Sequence, residues 1–332
     1  MDERLERKRH RRNFSSIGWA LLIYSLIMNA CVLLFTFFDM LMISISGMNG
    51  VSYTEEEVSK LLMNNGWGYL LTIAVGLIAL RLWQGKRFIR ETLWTRGKPM
   101  GVGDFFCLLA LTLSAQMAFS VIASAMELLF NLFGLSLMES VASATMSADS
   151  FSMFLYMGIG APIAEELVFR GLVLRKLQPY GKRFAIVLSA LLFGIFHGNL
   201  VQIPYAFLVG LVLGYTAVEH NILWAMVLHM FNNLVLADMT TRLTYCLPEF
   251  WVNTIVGLVI MASTLAAIVI LIVRHKEIGA YRRENRIRGD FAATFFSAPG
   301  VIGLLIFIFL TVAAPLVAQA FENFSRKHCE GV

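Results

Sequence analysis

Glu165, Glu166 and Arg170 lie inside an apolar stretch from Phe151 to Leu174, where hydrocarbon makes a charged side chain costly and such residues mark function. His197, and the pair His229 and Asn233, fall inside two later apolar stretches. A carboxylate, imidazoles and an amide are what hydrolysis of a peptide bond needs: a base for water, an acid for the leaving amine and donors for the oxyanion. Glu166 and Arg170 stand four apart on one helical face, so they can meet and spare each other an isolated buried charge. Arg170 then orients rather than reacts. Glu165 points about a quarter-turn away and is free to face a cavity and polarise water against a histidine. His229 and Asn233 also share a face, where an imidazole and an amide could hold a carbonyl oxygen.

Composition says which elements must carry these groups. Of 332 residues 58% are hydrophobic and 15% charged, and mean hydropathy is +0.70, far from the balance of a soluble domain. Apolar runs recur at Ile17–Phe38, Trp67–Gln84, Asp104–Phe130, Phe151–Leu174, Phe184–Leu200, Ile203–Val218, Ile222–Thr240, Trp251–Val273 and Phe295–Ala320. The expectation is an all-α, polytopic transmembrane helical bundle of eight or nine spans, multi-pass in the cell membrane. The basic arm before the first run imitates a signal peptide, but the run is too long and lacks a small-residue cleavage site, so it reads as an uncleaved span.

Lys and Arg gather in cytoplasmic loops of membrane proteins. The arm carries Arg4, Arg7, Lys8, Arg9, Arg11 and Arg12, and excess positive charge returns after the second, fourth and eighth runs. The alternate side holds only Lys60, Arg242, Arg326 and Lys327. This bias predicts a cytoplasmic N-terminus and an odd number of crossings. At about 1.5 Å of rise per residue, Glu165 lies roughly 15 Å from the cytoplasmic end of its span, His197 roughly 20 Å in, and His229 and Asn233 roughly 10 and 16 Å in. All six polar groups share one layer, and the expected site opens toward the cytoplasm.

Other chemistries find little footing. The net charge of +5 is accounted for by juxtamembrane Lys and Arg near anionic lipid, so no nucleic-acid partner is expected. Cys31 and Cys107 fall in different spans, while Cys246 and Cys329 share the predicted outer side and could pair. There is no metal-binding Cys spacing, no His-Glu-x-x-His, no Gly-rich phosphate loop and no internal repeat. Gly101-Val102-Gly103-Asp104 matches the Gly-x-Gly-Asp of presenilin-type aspartyl proteases, but the earlier candidate Asp39 lies at the far end of its span from Asp104, so the two cannot share a water. No Gly-x-Ser-x-Gly elbow occurs, and Ser189 has no evident base.

Three motifs, in order and each in its own span, resemble those of the CPBP intramembrane proteases, which include Rce1-type CAAX prenyl endopeptidases and bacterial abortive-infection and bacteriocin-immunity proteins. They are Glu165-Glu166-Leu167-Val168-Phe169-Arg170, Phe193-Gly194-Ile195-Phe196-His197 and His229-Met230-Phe231-Asn232-Asn233. The resemblance covers about Phe151–Thr240. It implies an intramembrane endopeptidase acting near the cytoplasmic leaflet, with Glu165 and His197 activating water, His229 and Asn233 stabilising the oxyanion, and Glu166 and Arg170 supporting them. It implies a peptide or membrane-protein substrate, prenylated in the eukaryotic relatives, although nothing in this chain reads a prenyl group. The family is often named as metalloproteases, and Glu165, His197 and His229 are a zinc-like set with room for water. A metal-free, glutamate-activated water has also been argued, and it is the expectation preferred here, though the same residues serve both schemes.

The chain, 1–332, is thus read as one membrane domain: a basic arm (1–15), a CPBP-like catalytic core (151–240) and C-terminal spans (251–332) of unassigned role. An intramembrane Glu or His also serves as hydrogen-bonded glue between helices, and Phe193, Gln116, Glu127 and Asp238 read as packing or interhelical residues. The competing function is a non-catalytic membrane protein or a proton- or cation-coupled transporter using the same Glu and His residues. The paired repeats and broken helices typical of transporters are absent from the sequence pattern.

Overall fold

A computed structural model of the chain describes residues 3–85, 88–93, 97–145, 150–235, 239–287 and 290–329. Each of the nine apolar runs supplies a helix, wholly or in its larger described part: α1 Glu3–Met48, α2 Gly66–Gln84, α3 Val102–Asn131, a composite α4 over 151–177, α5 Lys182–Phe196, α6 Gln202–Glu219, α7 Ile222–Asn233, α8 Glu249–Val273 and α9 Pro299–Cys329. Among the described residues there is no strand. The protein is an all-α helical bundle.

Six helical stretches among the described residues are long and apolar enough to cross a membrane: Arg4–Met48, Glu55–Gln84, Val102–Asn131, Gln202–Glu219, Glu249–Val273 and Pro299–Ser325. The three motif-bearing helices α4, α5 and α7 are not among them. α5 and α7 are short, and α4 is broken into α and π stretches. They sit inside instead: α4 packs on α2, α5 and α7, α5 lies along α6, and α3 backs α6 and α7. α1 packs against α2 and α9, while α8 leans on α3 at the periphery.

Small residues let backbones approach where helices cross, the usual device when lipid gives no hydrophobic drive between helices. Gly18 of α1 abuts the Gly300 backbone of α9, where the Gly300 N–H donates to Ser15 Oγ at 2.9 Å. Gly66 of α2 abuts Ser152 of α4, with Gly66 N–H donating to Ser152 Oγ at 3.1 Å.

The segments that join α1 to α2 and α3 to α4 contain short helices of their own. In Ser44–Gly66, α1 runs on to Met48 and Thr54 and Glu57 form a reciprocal capping box for the helix Glu55–Met63. In Gly134–Ser150 lies the helix Met138–Ala144, tied down by Glu127, which accepts from Ser136 Oγ (2.9 Å) and Leu137 N (2.6 Å), and by Gln319, which accepts from Ser136 N (2.9 Å). At the opposite end of the bundle, buried Glu219 gathers Lys182 (2.7 Å), Lys98 (3.4 Å) and the Tyr281 hydroxyl (3.1 Å). Burial and then the Glu219 carboxylate push the Tyr281 phenol above its ordinary pKa.

Candidate active site

The first motif sits on a helix that its own sequence distorts. Pro162 has no N–H and its ring crowds the carbonyl four residues back, which in a regular helix would break the rod. Here the turn ahead of it, Tyr156–Gly160, opens into a π stretch, the chain continues as α-helix over Ala161–Glu166, and a second π stretch follows over Leu167–Leu174. Gly158 faces Leu234 of the chain beyond α7, and Gly171 faces Thr92, positions where an added Cβ would come within 2.7 Å of those side chains. π turns of this kind recur at functional sites. All eight residues of the second stretch, Arg170 included, are buried.

The Arg170 guanidinium donates to Glu166 Oε1 at 2.9 Å and to the Gly210 carbonyl at 3.1 Å, and it stacks on Phe193, 4.5 Å from the ring centroid. Glu166, fully buried, also meets His229 Nδ1 at 3.0 Å. The other nitrogen of that ring, Nε2, lies 3.7 Å from Glu165 Oε2. Arg170, Glu166, His229 and Glu165 thus form a line from the buried core to a carboxylate whose side chain is one-third exposed. A carboxylate only accepts, so the contact with Glu166 puts a hydrogen on Nδ1, and in the tautomer with that hydrogen alone Nε2 turns a lone pair toward a second acceptor, Glu165. Two acceptors facing each other call for a proton or a donor between them.

Asn233 donates from Nδ2 to the Met157 carbonyl at 2.9 Å, and its Oδ1 accepts from Asn232 at 3.2 Å. His197 stands apart from this line. Its Nδ1 contacts the Phe193 carbonyl at 2.8 Å, which sets the ring with Nε2 outward, and Phe193 separates it from His229: the two imidazoles meet the Phe193 ring edge-on, at 4.8 and 5.7 Å between centroids.

The structure departs from the sequence expectation at His197. The span expected to run to Leu200 stops at Phe196; His197 caps it and Gly198 takes φ 64°, the left-handed conformation that ends helices. His197 therefore lies in a turn. Beside it is a cavity of about 380 Å³ reaching Met138–Ala144 and α9. This cavity is in the half of the bundle away from the basic arm, where Asn199 donates to the Ser140 carbonyl at 2.8 Å and draws the helix Met138–Ala144 against the turn.

Residues 147–235 match the model of the type II CAAX prenyl endopeptidase Rce1-like family. That segment resembles the Rce1-like family. Comparison with curated proteins and with solved structures gave no match. The match begins just before the composite helix and ends two residues past Asn233, so the Rce1-like segment contains all three motifs and no part of α1, α2, α3, α8 or α9.

Within the Rce1-like segment, each imidazole has Nδ1 tied to a carboxylate or a backbone carbonyl, as zinc-binding histidines commonly do. Among the described residues, however, no three His, Cys, Asp or Glu side chains converge as metal ligands, and Glu165, His197 and His229 do not come together as a set.

Other residues weighed from sequence have separate partners. Ser189 donates to the Phe169 carbonyl at 2.8 Å, Asp39 accepts from Asn65 at 2.7 Å, and Asp104 lies 3.5 Å from Arg274. Cys31, Cys107 and Cys246 are free thiols, while Asp238 and the side chain of Cys329 lie outside the described residues. Sequence reasoning missed Asn232 and Tyr205. Asn232, 3% exposed, donates to Tyr205 at 2.8 Å as well as to Asn233, and its Oδ1 is buried without a partner. The signal was the doubled Asn232-Asn233, of which the motif uses one. Phe193, set aside as packing, is the ring on which Arg170, His197 and His229 all rest.

Proposed function

We propose that the protein is an intramembrane endopeptidase that hydrolyses a peptide bond with Glu165 as the base. Glu165 takes a proton from water, and His229, held by Glu166 on its far nitrogen, shares that proton and returns it to the leaving amine. The Asn233 amide, with His229, stabilises the tetrahedral oxyanion, while His197 packs on the Phe193 ring that also bears on His229. Glu166 and Arg170 keep the imidazole oriented, as the buried acid does in a hydrolase triad. The observation that carries this reading is the acceptor pair, Glu165 Oε2 and His229 Nε2, 3.7 Å apart with His229 anchored to buried Glu166. The family match supports peptide-bond hydrolysis over ion transport. The substrate is a membrane-inserted or lipid-modified peptide, approached with the basic N-terminal arm in the cytoplasm.

The test compares protein termini in membranes of cells carrying wild-type or Glu165→Gln protein, together with cleavage by the purified proteins in vesicles. The amide keeps the shape but loses the base, so cleavage is expected to fall about 10²–10⁴-fold. Unchanged termini, or retained cleavage with loss of a cation flux, sinks the reading.

A further inference from the structure

Met157 carries a backbone carbonyl that its own helix cannot use. In the π turn Tyr156–Gly160 the Ala161 N–H, which in a regular helix would serve Met157, goes back to the Tyr156 carbonyl. A π pattern would hand Met157 to the residue five along, and that residue is Pro162, which has no N–H. The donor comes from α7 instead: Asn233 Nδ2 donates to the Met157 carbonyl at 2.9 Å. The next residue, Gly158, lets the turn close on Leu234, the chain neighbour of Asn233, where a Cβ would stand 2.7 Å from the Leu234 side chain.

That contact decides how two amides face. A carbonyl only accepts, so Asn233 must present Nδ2 to it, which turns Oδ1 toward Asn232. Asn232 must in turn present its own Nδ2, donating to Asn233 Oδ1 at 3.2 Å and to the Tyr205 hydroxyl at 2.8 Å. Both hydrogens of that nitrogen are then engaged, and Asn232 Oδ1 is left buried without a partner. An orphaned buried acceptor is costly, so the arrangement is imposed by something firmer than the amides themselves. The Met157 carbonyl is that constraint. Of the two hydrogens on Asn233 Nδ2, one is held by Met157 and the other has no partner among the described residues.

Resting on the endopeptidase reading, we infer that Pro162 is a positioning residue for the reaction. By withholding an N–H from the Met157 carbonyl, it reserves that carbonyl for Asn233 and so fixes the one amide hydrogen left to meet the oxyanion. Pro162 itself touches no substrate; its effect runs from the α4 backbone through the Asn233 side chain of α7.

Pro162→Ala restores the N–H. In vesicles the purified variant is expected to lose about 10²-fold in kcat, the scale of one oxyanion donor, with KM little changed and a melting midpoint no lower than wild type. Lactic acid in place of Pro162, introduced by nonsense suppression, leaves an ester oxygen and no N–H, and is expected to keep kcat near wild type. In an Asn233→Ala background, Pro162→Ala should cost nothing further. A wild-type kcat for Pro162→Ala, an equal loss in the ester variant, or losses that multiply in the double variant overturns the inference. Melting tests the clamp without catalysis. Asn233→Ala strands the Met157 carbonyl and is expected to lower the midpoint, and to lower it less when Pro162→Ala supplies an N–H in its place. Equal drops in the two backgrounds overturn the clamp. If wild-type protein cleaves no peptide while the drops differ, the endopeptidase reading fails and the clamp stands.

Discussion

Leu167–Leu174 and Glu249–Val273 are both strongly apolar, yet every residue of the first is buried, and in the second only Val252 and Ala267 are. The first holds Arg170 amid protein; the second shows its Leu, Ile and Val side chains to the surroundings. Hydropathy treats the two alike, because lipid and protein interior are equally dry. What separates them is backbone and polar chemistry: the buried stretch has π turns, small residues at crossings and a charge held by Glu166 and the Gly210 carbonyl. The outer helix needs none of these, since a regular helix satisfies its own backbone. A polar site in a membrane protein is therefore built where helices are covered by other helices.

The comparison can be broken most severely at the inner end. Glu165→Gln should abolish cleavage by the factor given above while leaving thermal stability in detergent close to wild type, since Glu165 is partly exposed and the amide is isosteric. Glu166→Ala should act oppositely, on the fold: it strands the Arg170 guanidinium in the core, at a cost of about 3–5 kcal/mol. Melting of purified protein would read this as a large drop in midpoint, and an unaltered midpoint would mean that the buried pair is not what holds α4 in place.

A smaller effect is expected at Asn232→Ala. The change removes the donor to Tyr205 and to Asn233 Oδ1 and frees the Asn233 amide to rotate, a loss of about 1–3 kcal/mol. If Asn232 positions Asn233, kcat falls more than KM rises; a fall in stability with kcat untouched would reduce it to packing. Adding a strong chelator to the purified protein should leave cleavage unchanged, since no three ligands converge among the described residues, and metal-restorable loss would restore the zinc scheme. The smallest effect belongs to the outer helix: Val269→Ala, at a side chain 58% exposed, should stay within about 0.5 kcal/mol of wild type.

The helical bundle, the nine apolar elements and the six polar residues of the candidate site were legible in the chain, because hydrocarbon penalises charge so heavily that Glu165, Glu166, Arg170, His197, His229 and Asn233 stand out without any structure. The Glu166–Arg170 contact was legible too, since four residues along a helix is a local distance. Sequence alone did not reveal the π turns around Pro162, the halt of α5 at His197, or the placing of Glu165 against His229 rather than His197. Gly198 was a visible stop signal, but a glycine in an apolar run has several meanings until its φ is known. The tucked helix Met138–Ala144 and the cavity it makes with α9 depend on contacts between residues as distant as Ser140 and Asn199, or Ser136 and Gln319. One-dimensional pattern determines which groups are too costly to leave in lipid; only packing decides which of them meet, because that is fixed by long-range contacts that no local spacing encodes.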